Sequence, residues 1–483
     1  MQVQGQPLEE RGSLEPRWGG ARAAIIIGIA VLGAALILMA FWPGIMIDDA
    51  RWQYQQVVDN AYEDWHPPLM AWTWRQLTVL KAGPAPMLVL QVQLYWAGFA
   101  LIASSALKRG HKRLALALAA LGFLPATFAL MGTVIKDSLM DGVLLVSCGL
   151  LFWRPLVSRS AARAGLGLGA ILLLFVASAL RFNAFFACVP LILLALPRSF
   201  TRTKPRLLLS AAAAAAAFLV TGPAISALLH AEDTDVELSL IVFDLGGITE
   251  HSGVSQFPDL HLKNPVAVNH LCYDPYGWDS YSDWAKKPCP LGFDPLQALV
   301  DDGDFDAKPW WIHAIASHPF AYLGHRFTHF NLSSWFLVPS GPAFTAWSQS
   351  VPNPWGFQVR ENGLLTLIIK ITDAAATTPL GWPIFWIFVA LLMLVTGLSA
   401  RAPIEHIAVA ASAFFYGAGY LVVGVATGIR YYIWTFDGAA LAALLIGAEL
   451  WRRRSELGKA TLLVPAGLLI VLTLMAAGSR ILT

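Results

Sequence analysis

The sequence predicts an all-α polytopic membrane protein with about eleven transmembrane helices. Three observations carry that prediction. The chain of 483 residues is 57% hydrophobic and only 13% charged, whereas roughly a quarter of a soluble chain is charged. Apolar runs long enough to cross a hydrocarbon core of roughly 30 Å recur along most of its length. The basic loops between those runs fall on alternate crossings, so they share one side. The 19 tryptophans fit long membrane interfaces, where indoles settle at headgroup depth. A net charge of +2 gives no electrostatic case for nucleic acid, and 4 cysteines are too few for a disulfide scaffold.

The first run, "AAIIIGIAVLGAALILMAFW" (23–42), follows a polar tail with Arg11, Arg17 and Arg22. A signal peptide would have a shorter apolar region and a small-residue cleavage site. Phe41-Trp42-Pro43 follows instead, which predicts an uncleaved anchor and a cytoplasmic tail over 1–22. Further runs lie near 85–107, 114–134, 138–153, 164–181, 184–197, 207–229, 380–399, 405–427, 433–450 and 461–479. With the tail inside, "KRGHKR" (108–113), "RPLVSRSAAR" (154–163), "RSFTRTKPR" (198–206), Arg401 and "WRRRSELGK" (451–459) all reach the cytoplasmic side. The chain then divides into an N-terminal transmembrane module (23–229), whose first external loop is 43–84, an external loop domain (230–379) between spans seven and eight, and a C-terminal transmembrane module (380–483). Cys272 and Cys289 both fall in the loop domain, where an oxidising compartment allows a disulfide. "ENGLLTLIIKITDAAATT" (361–378) reads as an amphipathic helix at the external interface.

The first external loop is amphipathic. Trp52, Tyr54, Val57 and Val58 recur at helical spacing, and "LMAWTWRQLTVL" (69–80) repeats the pattern. Two interfacial helices joined at "DWHPP" follow from this, with an extended His66 before Pro67. Asp48 and Asp49 open the first helix. One reading makes them helix caps in a solvated loop. The other makes one of them a base for a hydroxyl nucleophile, its pKa raised by the neighbouring like charge. Three further corners on the same side are cationic: Lys136 beside Asp137, Arg181 near Asn183, and Arg430 followed by Tyr431 and Tyr432. Singly, each is a basic residue snorkelling to headgroups. Together they suit a phosphate or pyrophosphate at the membrane boundary. Asp141 and Asp437 fall inside spans, where an internal polar contact or an ion pathway explains them. "DDGDFD" (301–306) lacks EF-hand spacing and reads as a solvated turn. His325 and His329 are placed to share a metal, but no third ligand is assignable and an interfacial helix accounts for them. There is no Gly-rich phosphate loop, CxxC or HExxH, which argues against an ATP-driven pump.

The arrangement resembles the integral-membrane glycosyltransferases of the GT-C fold, among them protein O-mannosyltransferases, aminoarabinose transferases and O-antigen glucosyltransferases. The likeness lies in "PGIMIDDARWQYQQ…DWHPPLMAW", "IKDSLMDGVLL", "HPFAYLGHRFTHF" and "GIRYYIW", in that order. It implies a base, Asp49 by spacing from Pro43-Gly44, with Asp48 as the substitute. That base would deprotonate an acceptor hydroxyl for inverting attack on the sugar of a polyprenyl-phosphate donor. It further implies donor-phosphate contacts from Lys136, Arg181, Arg430 with Tyr431, and Arg326. His66, Gln53 and Asp137 would position the substrates. The partners implied are the lipid-linked sugar, a glycan, lipid or protein acceptor, and membrane lipids. The location implied is a bacterial inner membrane with the site on the periplasmic face. No cofactor and no catalytic metal are implied, although "Asp-Asp" here departs from the "Asp-Glu" of many members and leaves metal dependence open. Two competing readings are a transporter or flippase working through Asp141 and Asp437, for which no inverted repeat is visible in the sequence, and a non-catalytic assembly factor.

Overall fold

The computed structural model describes residues 18–339 and 346–481, so Arg11 and Arg17 of the tail lie outside the described residues. The chain opens with α1 (Trp18–Phe41), α2 (Asp48–Asp59), α3 (Leu69–Leu77) and α4 (Ala85–Lys108). It continues through α5 (Lys112–Ala120), α6 (Pro125–Leu130), α7 (Lys136–Trp153), α8 (Ser160–Leu180), α9 (Phe185–Ala195), α10 (Arg198–Thr201) and α11 (Lys204–Leu228). The long loop region holds α12 (Leu238–Ser252), α13 (Pro265–Cys272), α14 (Phe293–Asp301), α15 (Ala307–Ser317) and α16 (Pro319–Ser334). The chain closes with α17 (Gly363–Ala376), α18 (Pro383–Ser399), α19 (Ile404–Val423), α20 (Ile433–Arg452) and α21 (Lys459–Ile481). Three isolated bridges are the only β-pairing among the described residues.

The fold is an all-helical membrane bundle. Eight helices, α1, α4, α7, α8, α11, α19, α20 and α21, are long and apolar enough to cross a membrane, and α9 and α18 are shorter apolar helices. The expected span over 114–134 is broken. A 3-10 turn over Leu121–Phe123 ends α5, and Leu124 takes φ −55°, ψ 122° before Pro125 opens α6. Proline pushes its predecessor out of helical geometry, so an apolar run of sufficient length becomes two short pieces. The segment still carries the chain from one end of the bundle to the other. It leaves the basic turn after α4 and arrives at Thr133, which pairs with Ile45 just beyond α1.

The basic turns gather at one end. Arg109 pairs with Glu405 at 2.8 Å, Arg452 meets His111 at 3.1 Å, and Arg453 donates to the Ala400 carbonyl at 2.8 Å. The opposite end carries the loops. There Gly44, at φ +115°, turns the chain back under α1, and a Cβ on it would come within 2.8 Å of Val134. That turn needs glycine, and it sets where α2 begins. α2 and α3 then pack together as expected of interfacial helices. The Tyr54 ring lies 5.0 Å from Trp74, and its hydroxyl accepts from the Gly83 N–H at 2.8 Å.

The region 230–379 contains two parts. Residues from α12 to α15 have their own core, built on Leu245, Ile248, Trp278, Tyr281 and Leu296. Cys272 and Cys289 form a disulfide within it. The later part belongs to the main bundle. Val351 N–H donates to the Met46 carbonyl at 2.8 Å, and Asn362 donates to the Ala40 carbonyl at 2.9 Å. α17 lies against α6, where Thr372 donates to the Pro125 carbonyl at 3.2 Å, and leaves Leu367 and Ile371 exposed.

Candidate active site at the membrane boundary

Asp49 occupies the first turn of α2. The residue capping that helix is Ile47, and no side chain caps it, so neither aspartate works as a cap. The helix N-terminus still favours a carboxylate there. Asp48 and Asp49 point apart. Asp48 is 66% exposed and pairs with Arg51 at 3.3 Å. Asp49 is only 20% exposed and faces the bundle. The sequence expectation that Asp48 tunes or replaces Asp49 is therefore not met by this geometry.

The groups around Asp49 come from distant parts of the chain. Arg430, in the turn before α20, donates to Asp49 Oδ2 at 2.9 Å and to Oδ1 at 3.4 Å. It also donates to the Tyr431 hydroxyl at 3.2 Å, and its guanidinium lies over the Trp347 ring at 5.9 Å. His66 Nε2 lies 3.8 Å from Asp49 Oδ2. Lys136, the first residue of α7, lies 2.6 Å from His66 Nδ1. An ammonium group only donates, so Nδ1 accepts and the imidazole proton sits on Nε2, directed at Asp49. Arg181, at the end of α8, pairs with buried Asp137 and donates to Asn183 Oδ1 at 3.2 Å. Its guanidinium lies 5.1 Å from the centroid of the Tyr431 ring, and that of Arg430 lies 5.0 Å from it. The two arginines thus share one tyrosine ring.

Electrostatics follow from this ring of groups. Burial pushes the Asp49 carboxyl up, but Arg430, His66 and Lys136 outweigh it and hold the carboxyl well below the usual carboxylate range. The expected upward shift from a neighbouring aspartate is corrected, because the neighbour turns away and cations take its place. Burial, together with Lys136, brings His66 down to about 3, with Asp49 opposing. The imidazole is neutral at ordinary pH. Lys136, Arg181 and Arg430 against Asp49 and Asp137 then leave one uncompensated positive charge in a cluster whose arginine and histidine side chains are 12–15% exposed. Gln53, one turn along α2, is buried and its Oε1 has no hydrogen-bond partner among the described residues.

Arg326 is not in this ring. It is 1% exposed and pairs with Asp244 of α12 at 2.6 Å. It also donates to the Gly424 carbonyl at 2.6 Å, on the extended segment leading to Arg430. It fixes that segment and, 1% exposed, is closed off from a phosphate. His325 lies against Asp244 at 3.3 Å and Tyr273 at 2.9 Å, and His329 bonds the Pro275 carbonyl at 2.9 Å. Both rings are thus engaged by protein groups, and no group of three or more His, Cys, Asp or Glu side chains placed to hold a metal occurs among the described residues. The remaining loop carboxylates serve the scaffold. Asp64 accepts from Thr234 at 2.8 Å, Glu63 from Gln56 at 3.1 Å and Asp59 from Gln55 at 2.7 Å.

Sequence reasoning missed Asp244, Tyr420 and Trp347. The Tyr420 ring lies 5.8 Å from that of Tyr431, tilted against it. Asp244 had a visible signal, a single carboxylate inside the apolar run "LIVFDLGG". Such a group needs a buried cation, and Arg326 is the one that meets it.

No family model matches the chain. No curated protein matches it either. Among solved structures it is similar to ArnT from Cupriavidus metallidurans bound to undecaprenyl phosphate, at 14% identity and TM-score 0.33, covering 90% of this chain and 79% of that one. It is also similar to the oligosaccharyltransferase AglB from Archaeoglobus fulgidus, solved with an inhibitory peptide and a dolichol-phosphate, at 13% identity and TM-score 0.38. That match covers 97% of this chain, which spans 56% of the archaeal protein. Both are GT-C fold glycosyltransferases.

Proposed function

We propose that this chain is a membrane glycosyltransferase. It transfers a hexosyl or pentosyl group from a polyprenyl-phosphate donor to an acceptor hydroxyl, with Asp49 as the general base. The observation that carries the reading is the ring of Arg430, His66 and Lys136 around one recessed carboxylate at the exit of a membrane span. A lipid-linked phosphodiester carries one negative charge, which matches the single uncompensated positive charge of the cavity. The phosphate draws Arg430 from Asp49 as it binds, and the carboxylate regains basicity. The acceptor oxygen attacks the anomeric carbon, and its proton passes to Asp49. The bond from that carbon to the phosphate oxygen breaks with inversion. The lipid phosphate leaves with a second negative charge, which Lys136, Arg181 and Arg430 stabilise. Neutral His66 turns its Nε2–H side toward the carboxylate at 3.8 Å, and Gln53 Oε1 is available to a substrate hydroxyl. We place the site on the periplasmic face of a bacterial inner membrane, opposite the basic turns. The chemistry assigned here draws on no metal or cofactor.

The transporter reading through Asp141 and Asp437 gains no support from their position. Both are fully buried, with no solvent exposure on either carboxyl. The test of the enzyme reading is transfer of radiolabelled sugar from polyprenyl-phosphate donors by wild type and Asp49→Asn. Transfer at wild-type rate in the variant overturns the assignment of the base.

A further inference from the structure

Asp141 and Asp437 have no place in the chemistry above, yet the bundle is built around them. Asp141 lies one turn inward from Asp137 on α7, and Asp437 lies in the second turn of α20. Both are 0% exposed. The two helices are in contact, and the two carboxyls are each other's charged neighbours across that contact. Thr127 of α6 donates to Asp437 Oδ1 at 3.1 Å, and the Tyr95 hydroxyl of α4 lies 3.0 Å from Thr127 Oγ1. Cys148, two turns further along α7, is the remaining titratable neighbour of Asp141. No ion pair reaches either carboxyl among the described residues. The nearest cations, Lys136 and Arg181, are engaged by His66 and Asp137 at the end of the helix.

Two carboxylates cannot meet in a hydrocarbon interior with both charged and no cation beside them. A proton between them turns the repulsion into an O–H···O bond. Both Asp141 oxygens and Asp437 Oδ2 have no hydrogen-bond partner among the described residues, a want that a proton on one carboxyl would meet.

We propose that Asp141 and Asp437 hold at least one proton between them, and that this carboxyl pair is a positioning device for the phosphate cradle, tying α7 to α20. The second half of this inference rests on the glycosyltransferase reading. α7 carries Lys136 and Asp137 in its first turn, and Asp137 in turn holds Arg181. Arg430 and Tyr431 stand in the turn directly before α20. The cradle is therefore divided between two helices, and the carboxyl pair joins them about 6 Å below Asp137 and about 10 Å below Arg430, at 1.5 Å per residue. A slip between the helices would separate Lys136 from Arg430 without touching either residue.

The experiment uses the full chain in lipid nanodiscs, with undecaprenyl phosphate as the probe. Infrared difference spectra of wild type against D141N/D437N should show a protonated-carboxyl C=O stretch that shifts in heavy water and vanishes in the double variant. No such band overturns the shared proton. Asp141→Asn keeps a neutral hydrogen-bonding pair and should bind the lipid phosphate as wild type does. Asp141→Leu breaks the pair and should bind about tenfold or more weakly, since displacements of about 1 Å at a site cost that much or more. Asp437→Leu is the second variant should the first fail to fold. Wild-type affinity in a folded Leu variant overturns the positioning role, and so does equal loss in the Asn and Leu variants. Failure of the wild-type protein to bind undecaprenyl phosphate overturns the donor reading and the positioning role with it, while the infrared band still decides the shared proton.

Discussion

Replacing Asp49 by Asn separates two effects that most active-site substitutions confound. The side chain keeps its size, and its remaining oxygen can still accept from Arg430, now 2.9 Å away. What disappears is one negative charge and the ability to take a proton. A phosphate bound to the far edge of the Arg430 guanidinium would lie about 6 Å from that carboxylate, where two like charges cost about 1–3 kcal/mol at an effective dielectric of about 20 after allowance for solvent. Asp49→Asn should therefore tighten undecaprenyl phosphate binding by about 5–100-fold. Sugar transfer should fall by about 10²–10⁴-fold, the usual contribution of a general base. The two changes have opposite sign, so misfolding cannot imitate them. Lipid-phosphate titration in nanodiscs reads the first, and single-turnover transfer from radiolabelled donors reads the second. A variant that binds the lipid phosphate more weakly and still transfers sugar would refute the reasoning, because Asp49 would then be organising the cradle instead of acting as base.

Four further outcomes follow. Arg326→Met should leave Asp244 buried without its cation and destabilise the fold by about 3–5 kcal/mol, visible as a lowered thermal midpoint, whereas Arg326→Lys should recover part of it. Either variant that stays folded should keep its affinity for lipid phosphate; a selective loss there would restore Arg326 to the donor site. Acid should destabilise the protein as pH falls from 6.5 towards 3, because the ordinary His66 value of 6.5 drops to about 3 on folding and the unfolded chain takes the proton first. His329, brought down to about 4 by burial against the opposing Pro275 carbonyl bond, acts in the same direction. His329→Gln should flatten that acid limb in thermal scans while leaving the catalytic cavity intact, and an unchanged limb would contradict it. Cys272→Ser opens a bridge between cysteines 17 residues apart, and loss of about 3 kcal/mol is expected for a closed loop of that size; a thermal midpoint equal to that of wild type would rule this out.

The broad architecture was legible because bilayer thickness imposes a length on every spanning helix. The apolar runs at 85–107, 164–181 and 207–229 became α4, α8 and α11 for that reason. The run at 114–134 misled because hydropathy sums composition and is blind to order: one Leu-Pro step splits it. The division of 230–379 was also invisible. Nothing local marks residues 346–376 as partners of α1 and α6 when residues 238–317 form a separate core, since both stretches mix aromatics and prolines with short apolar helices.

At the site, topology did what no single motif could. Placing Asp49, Lys136, Arg181 and Arg430 on one side of a membrane followed from alternating loop charge, and the structure brings those residues together through His66 and Tyr431. The choice of Asp49 over Asp48 came from the resemblance and not from helix geometry, because adjacent helix positions differ by about 100° of rotation and only the packing of α2 fixes the zero. The error over the pKa of Asp49 has the same root. Sequence proximity made Asp48 its nearest charge, whereas in space the nearest is Arg430, 381 residues away. An aspartate held by an arginine is a poor base, and an arginine held by an aspartate is a poor phosphate ligand. On the proposed reading each is released only when the donor phosphate arrives, so the carboxylate gains its basicity with the donor already in place.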